Sequence, residues 1–236
     1  MGGKSIVLIG ALDTKGREYA FLRDQITERG HTPVLVDVGT KGAPSITPDI
    51  SKGEVLAAVN AADEAIGAMD RGEAVSLMSR AIATFVLQLH AKGRLDGVLA
   101  LGGTGGTAMA TAAMRELPIG VPKVMVSTAA GGDVSGYVGV KDIVMIPSIV
   151  DVAGINRISR SVFARAAGAI CGMVETEVPA SEEKPLIAAS MFGNTTPAVD
   201  RASRRLEEAG YEVLVFHCTG NGGRSLENLV REGHIA

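Results

Sequence analysis

Four glycines and two threonines follow an apolar run near the middle of the chain, and these residue types suit the binding of an anion. Residues 97–101 have the pattern of a buried strand and 108–116 that of a helix; between them lie Gly102, Gly103, Thr104, Gly105, Gly106 and Thr107. A strand that restarts as a helix leaves unpaired N–H groups at the positive end of the helix dipole. Glycines let an anion approach the backbone, and the threonine hydroxyls add donors or cap the helix. We therefore predict a phosphate or carboxylate site; the alternative is a tight turn that binds nothing.

The loop after the first strand offers a second group of polar residues. Residues 10–16 hold Gly10, Asp13, Thr14 and Lys15. Lys15 could neutralise phosphate charge and Thr14 could donate a hydrogen bond to it. Capping of the next helix by Asp13 or Thr14 explains the same residues without a ligand. The spacing fits neither the Walker A motif nor G-x-G-x-x-G.

Acidic and small residues follow two further strands. Asp37 ends the second strand and precedes Gly39 and Thr40, a position where a carboxylate commonly binds ribose hydroxyls. A solvated loop carboxylate is the alternative. After the fourth strand, Thr128 lies beside small residues that permit close ligand approach, and Asp133 could bind a Mg²⁺ ion that bridges phosphates.

Alternating strand and helix patterns position these loops. Strands are predicted at 5–9, 33–37, 97–101, 123–127 and 143–146, and the helices include 17–29, 73–92 and 156–176. This order predicts an α/β fold with a doubly wound parallel, Rossmann-like sheet, in which ligands bind beyond the carboxyl ends of the strands. The irregular stretch 38–53 is long enough to be a lid over bound ligand.

A second, partial unit of the same kind is predicted after the polar linker 177–183. We expect a nucleotide-binding subdomain at 1–178 and a partial Rossmann-like subdomain at 184–236. An offset of 180 residues aligns the β-α-β pattern of the two, through duplication or coincidence. Glycine-rich segments at 193–197 and 220–225 could each hold an anion, although helix capping accounts for the first. Because two strands do not make an independent domain, we expect a fragment of a longer protein or a homodimer that covers the exposed surface.

Composition excludes several classes of protein. A net charge of −3 without a basic run argues against nucleic-acid binding. No apolar run reaches the length of a membrane helix, and the N-terminus has no signal-peptide pattern. Cys171 and Cys218 lack the spacing of a metal site or a disulfide framework, so we expect free thiols in a reducing cytoplasm.

Three separated motifs resemble the Tm-1-like ATP-binding domain family, which is also an uncharacterised protein family. They are residues 10–16, 96–107, and 137–143 continuing to 150–156, in that order along the chain. The resemblance extends over the whole chain and implies two Rossmann-like subdomains, ATP as the ligand and a dimeric protein. It also implies that a protein partner is possible, because a plant member binds a viral replication protein. Family members are longer, and they complete the second subdomain.

The function expected from the sequence is binding of ATP, possibly together with Mg²⁺. The absence of an evident base or nucleophile favours binding over catalysis, and no Ser-His-Asp arrangement can be read from residue order. Two alternatives stay open: an ATP-dependent enzyme that acts on a small carboxylate or alcohol, and a protein-interaction module that nucleotide stabilises.

Overall fold

The structure is a computed structural model that describes residues 2–179 and 184–235. Its contacts divide the chain into two compact units, Met1–Thr176 (unit 1) and Glu177–Ala236 (unit 2). Each unit has its own parallel sheet.

Unit 1 contains five parallel strands in the order β2-β1-β3-β4-β5, a common doubly wound arrangement. The strands are β1 Ser5–Gly10, β2 Thr32–Asp37, β3 Gly97–Gly102, β4 Lys123–Ser127 and β5 Val144–Pro147. The helices are α1 Leu12–Thr27, α2 Lys52–Ala57, α3 Asp63–Gly67, α4 Arg71–Ala91, α5 Thr104–Glu116, α6 Ser135–Val138 and α7 Arg157–Glu175. The predicted α/β class and doubly wound Rossmann-like sheet are confirmed.

Two apolar clusters cover the two faces of this sheet. Alternate residues of β1 and β3 divide between them, so that Val7 and Val98 pack with α4 and α5, whereas Leu8 and Leu99 pack with α1 and α7. The side chains of a strand alternate between faces, and continuous apolar strands therefore fill both sides of a three-layer fold.

Two helices begin earlier than the sequence pattern predicts. The predicted helix over 17–29 begins at Leu12, because the distant Asp37 carboxylate accepts the Leu12 N–H; a non-helical Lys15 (φ −127°, ψ 18°) interrupts its first turn. The predicted helix over 108–116 begins at Thr104, so that Gly105 and Gly106 are helical. The irregular stretch also ends earlier than predicted, since Ser51 caps α2 and Lys52 is its first residue.

Helix α4 is the one described helix long and apolar enough to cross a membrane by length and composition. A core helix of a globular protein passes the same test. Met78, Ala81, Ile82 and Val86 of this helix are fully buried in the core of unit 1, which accounts for its apolar character.

A buried lysine begins β4. Lys123 has no exposed surface, and its Nζ donates to the carbonyls of Pro118 and Val121 at 2.8 Å each. The same Nζ lies 2.7 Å from Oδ1 of Asp142. A buried charge needs such partners, so this cluster fixes the entry into the strand.

Unit 2 contains two parallel strands, β6 Leu186–Met191 and β7 Glu212–His217, with α8 Thr196–Glu208 between them and α9 Gly222–Arg231 after them. A short 3-10 turn, Gly193–Thr195, precedes α8. The predicted repeat is present as a β-α-β unit in each part of the chain. Gly30 and Gly210 follow the two equivalent helices with φ of +83° and +93°, a conformation that favours glycine.

Candidate functional site

The sheet order places the carboxyl ends of β1 and β3 at the point where the strand order reverses. Crossovers run to opposite sides from these two neighbouring strands, and the loops after them diverge to leave a crevice. A cleft of about 250 Å³ lies there; we call it the switch-point cleft. Among the predicted site residues, those that line it are Gly10, Asp13, Thr14, Lys15, Thr40, Gly102, Gly103, Thr104, Gly105 and Gly106.

The remaining predicted site residues lie elsewhere. Thr107 is fully buried, and its Oγ1 is 2.7 Å from Oγ of Ser127, so it joins α5 to β4. Gly39 packs against the Asp13 carboxyl group, where a Cβ would come within 3 Å. Asp133 is exposed and accepts the Ser135 N–H at 2.9 Å, outside the cleft. Thr128 lines a neighbouring cleft.

Asp37 is a buried structural carboxylate and not a solvated one. Its Oδ1 accepts the N–H groups of Leu12 at 3.1 Å and Gly39 at 2.9 Å, and the residue is 1% exposed. Burial raises the pKa of Asp37 above its ordinary value, although these two bonds oppose the rise. Asp37 thereby shapes the loop after β1 from outside the cleft.

Tyr19 fixes the divergence of β1 and β3 beneath the cleft. Its hydroxyl donates to the Ile9 carbonyl and accepts the Leu101 N–H at 2.9 Å. The ring fills the space beside Gly10, where any Cβ would overlap it. Burial raises the pKa of Tyr19 far above its ordinary value; the hydroxyl is therefore a neutral structural group.

The N-terminus of α5 is uncapped and faces the switch-point cleft. Its N-cap residue Gly103 has no side chain, and within the described residues no acceptor bonds the N–H groups of Thr104, Gly105 and Gly106. In contrast, Asn156 caps α7 by accepting two N–H groups. Gly102 makes the preceding turn possible, because a Cβ there would lie 3.0 Å from Cα of Gly106. Three unpaired donors therefore meet at one cleft.

An acidic residue lies at the N-terminus of α1 but not at that of α5, although both helices begin at the cleft. The side chains of Lys15, Lys41 and Arg71 line it together with the carboxylates of Asp13 and Asp151. Asp13 lies in the first turn of α1, where Oδ2 accepts the N–H groups of Lys41 at 2.9 Å and Gly42 at 3.3 Å. Negative charge thus already occupies the N-terminus of α1, whereas α5 has no acidic residue in its first turn. An anion is favoured at α5.

Sequence reasoning missed three charged residues of this cleft. Asp151 follows β5 and was identifiable, because the ends of all the parallel strands share one edge. Arg71 begins α4 after two short helices, and Lys41 lies within the stretch after β2. No local sequence pattern predicts that either side chain lines the cleft.

The stretch after β2 is attached to the fold along most of its length. Val38 N–H donates to the Gly10 carbonyl and Ser45 N–H to the Leu12 carbonyl, each at 2.9 Å. Asp49 accepts the Leu35 N–H at 2.8 Å, and Ile50 bridges Val36. Between these attachments lies a tip, residues 40–44, whose described bonds to the fold are those of the Lys41 and Gly42 N–H groups to Asp13. The lid stays a prediction for this tip.

Cys171 is a buried free thiol and Cys218 an exposed one. Within residues 2–179 and 184–235, no group of three or more His, Cys, Asp or Glu side chains could hold a metal ion.

Comparisons with known proteins identify relatives of the whole chain. The family described as "Uncharacterised protein family (UPF0261) N-terminal domain" matches residues 4–179, and the corresponding C-terminal domain matches 184–236. A UPF0261 protein of Clostridium tetani is 47% identical over 98% of this chain and 58% of its own length. The tomato "ToMV resistance protein Tm-1(GCR237)" is 38% identical over 98% of this chain and 33% of its own length. The chain therefore spans little more than half the length of the Clostridium protein and about a third of the length of the tomato protein.

Solved structures give a distant likeness. A UDP-N-acetylglucosamine 2-epimerase from Rickettsia bellii matches with a TM-score of 0.36 and 12% identity, over 97% of this chain and 65% of that one. A Trichoderma reesei cutinase matches with a TM-score of 0.35 and 11% identity, over 73% and 77%. At these scores the likeness carries no argument about function.

Proposed function

The chain belongs to the UPF0261 family, and from that premise we propose that unit 1 binds ATP, with the phosphates over the first turn of α5. One observation carries the proposal: three backbone donors of Thr104, Gly105 and Gly106 have no acceptor among the described residues and face a cleft with three cationic side chains. Unpaired N–H groups at a helix N-terminus bind phosphate because the helix dipole favours negative charge there.

The walls of the cleft suit the rest of a nucleotide. Apolar side chains of Ile9, Val38, Val75, Leu101 and Met109 line it beside the glycine-rich turn. Apolar walls with a few polar groups are usual for small-molecule sites, although 250 Å³ is below their common range of about 300–1,000 Å³. Phosphates and part of the nucleoside fit inside; the remainder of ATP extends through the open mouth.

We expect Mg²⁺ to bind as a complex with the nucleotide and not at a preformed metal site. The described residues hold no cluster suited to a resident metal, and Mg²⁺ in nucleotide sites is commonly held by one or two carboxylates and the phosphates. Asp13 lines the cleft and its buried Oδ1 has no hydrogen-bond partner among the described residues, so we propose Asp13 as the carboxylate that holds the ion, whereas Asp133 lies outside the cleft.

Calorimetric titration with ATP, ADP, AMP and adenosine tests the proposal. Affinity should fall as phosphates are removed. Gly105→Val should weaken ATP binding about tenfold or more, the size of a lost charged hydrogen bond. The fold should tolerate this change, because a Cβ on Gly105 meets only Nη2 of Arg71, at 3.9 Å.

Gly172→Val is the matched control. Gly172 lies in α7 with open space around its Cβ position, and its replacement should leave ATP affinity unchanged. Equal affinity of the Gly105→Val protein and the unmodified protein for ATP would remove the phosphates from this turn.

A further inference from the structure

Asp151 belongs to two neighbouring clefts. It lines the switch-point cleft, and it also lines a second cleft of about 550 Å³ beside β4 and β5. Thr128 lines the second cleft, and its Oγ1 lies 3.8 Å from the Cβ position of Gly103. Gly103 is the N-cap of α5. Asp151 thus lies where the switch-point cleft, in which we propose that phosphate binds, meets the second cleft.

The backbone around Asp151 is fixed on both sides. Ser148 N–H donates to the Ser127 carbonyl at 3.1 Å, and Ser148 Oγ donates to the Val150 carbonyl at 2.6 Å. Val152 is fully buried, and Gly154 N–H donates to the buried Glu18 carboxylate. These bonds hold the backbone of Asp151 at the edge of both clefts.

Ile149 adds a strained residue to this loop. Its φ is +66° and its side chain is 74% exposed, and it lines the second cleft. A β-branched residue in the left-handed region is a conformational outlier. Such strain persists where the surrounding structure enforces it and is concentrated at functional sites.

The Asp151 carboxylate has no partner, unlike the other acidic groups at this edge. It is exposed, and among the described residues it forms no hydrogen bond or ion pair. Asp13 accepts two N–H groups, Asp37 accepts two and Asp133 accepts one. Both bonds of Asp13 are to Oδ2, and its Oδ1 is buried without a partner in the described part of the chain. Asp151 is therefore the exposed carboxylate at this edge with neither oxygen bonded to a described residue, and we assign the role of proton acceptor to it.

We propose that Asp151 is the general base for attack of a hydroxyl group on the terminal phosphate of ATP, an inference that rests on the proposed function. The hydroxyl oxygen forms a bond to the terminal phosphorus, and its proton passes to Asp151. The bond from that phosphorus to the bridging oxygen breaks, and ADP leaves with the electron pair.

The second cleft determines the class of acceptor. Apart from Asp151 its lining is uncharged, with the hydroxyl of Thr128, the backbone of Gly131 and the apolar surface of Ile149. An anionic acceptor would meet a carboxylate and no cation there. The acceptor is a small neutral alcohol, or water in its absence.

Hydrolysis with water as the acceptor tests the inference without knowledge of the alcohol. The protein in excess is mixed with γ-labelled ATP and Mg²⁺, and phosphate release is followed while calorimetry gives the Kd of ATP. Asp151→Asn should slow release about 100-fold or more, the usual contribution of a general base, with an unchanged or tighter Kd. Gly131→Val, which enters open space in the second cleft, should also slow release without weakening ATP binding.

Asp24→Asn is the control, because Asp24 is an exposed carboxylate of α1 paired with Arg23, and it should leave both quantities unchanged. ATP binding without hydrolysis, or equal rates with Asp151→Asn, would overturn the inference and leave the proposed function standing. Weaker MgATP binding with rescue at high Mg²⁺ would also overturn it, since Asp151 would then be a cation ligand. No ATP binding by the unmodified protein would overturn the proposed function itself.

Discussion

The hydroxyl of Tyr19 accepts the backbone N–H of Leu101 at 2.9 Å, directly under the cleft at the carboxyl ends of β1 and β3. It also donates to the Ile9 carbonyl, so one buried side chain bonds both strands where their own ladder ends. The crevice has a rigid floor as a result.

Tyr19→Phe should lower the free energy of unfolding by about 1–3 kcal/mol, because it leaves the buried Leu101 N–H without an acceptor. Urea denaturation measures the change. Tyr137→Phe is the control: no described residue bonds the hydroxyl of this half-buried tyrosine, and the change should stay within about 0.5 kcal/mol. Equal effects of the two variants would contradict the role given to Tyr19.

Arg71→Ala should weaken ATP binding about threefold to fivefold, the size of one exposed charge interaction, and leave adenosine binding unchanged. The guanidinium lies beside the first turn of α5, where it adds attraction for phosphate alone. Titrations with both ligands give the ratio. Arg80→Ala on the same helix, where Arg80 bonds Ser76, should alter neither affinity; an equal loss from it would mean that the charge acts only at long range.

The free energy of unfolding of the Asp37→Asn protein should rise relative to that of the unmodified protein as the pH increases from about 4 toward 7. The pKa of Asp37 is raised by burial, so its contribution to stability is present below the ordinary value near 4 and is lost as pH rises through the raised folded value. Asparagine keeps an oxygen for Leu12 and Gly39 and does not ionise. Unfolding free energies at pH 4.5 and 7 give the comparison, and a difference independent of pH would contradict it.

Residues 40–44 should become more protected from hydrogen exchange when ATP binds, because Thr40 and Lys41 line the cleft and the tip is otherwise attached only through the bonds of Lys41 and Gly42 to Asp13 among the described residues. The amides of Ser45, Asp49 and Ile50 should already be protected without ligand, because they bond the Leu12 and Leu35 carbonyls. Exchange measured with and without ATP separates the two parts. Equal exchange of the tip in both conditions, at saturating ATP, would assign it to another partner or to none.

Unit 2 should promote association of the chain in solution. No residue of β6 or β7 is fully buried, and Phe192 and Val215 expose about half of their surfaces. Exposed apolar strands favour pairing, so light scattering should give a mass above that of one chain, and Phe192→Ser with Val215→Thr should reduce it. A monomer that binds no apolar dye would contradict this expectation.

The sequence predicts the strands of unit 1 to within one or two residues, because buried parallel strands are continuous apolar runs. Helix starts were less accurate where a distant group sets them, as Asp37 does for Leu12. The glycine loop and the loop after β1 were placed together correctly, since parallel strands bring both to one edge.

Residues whose position depends on tertiary packing were misjudged or missed. Thr107 has the spacing of a ligand donor, yet the α5 helix turns its hydroxyl toward Ser127. Arg71 reaches the cleft only through the packing of α4 beside α5. Burial of Asp37 likewise depends on the stretch that folds back over β2.

Lys123 also determines where a protease can cut. Trypsin must draw a lysine side chain into its specificity pocket, but this one is buried with its ammonium group bonded to Pro118, Val121 and Asp142. The peptide bond after it lies within β4, the fourth strand of five in the sheet. Cleavage at Lys123 therefore requires opening of unit 1 as a whole. The rate at which a fragment ending at Lys123 appears during brief digestion then measures how often native molecules unfold.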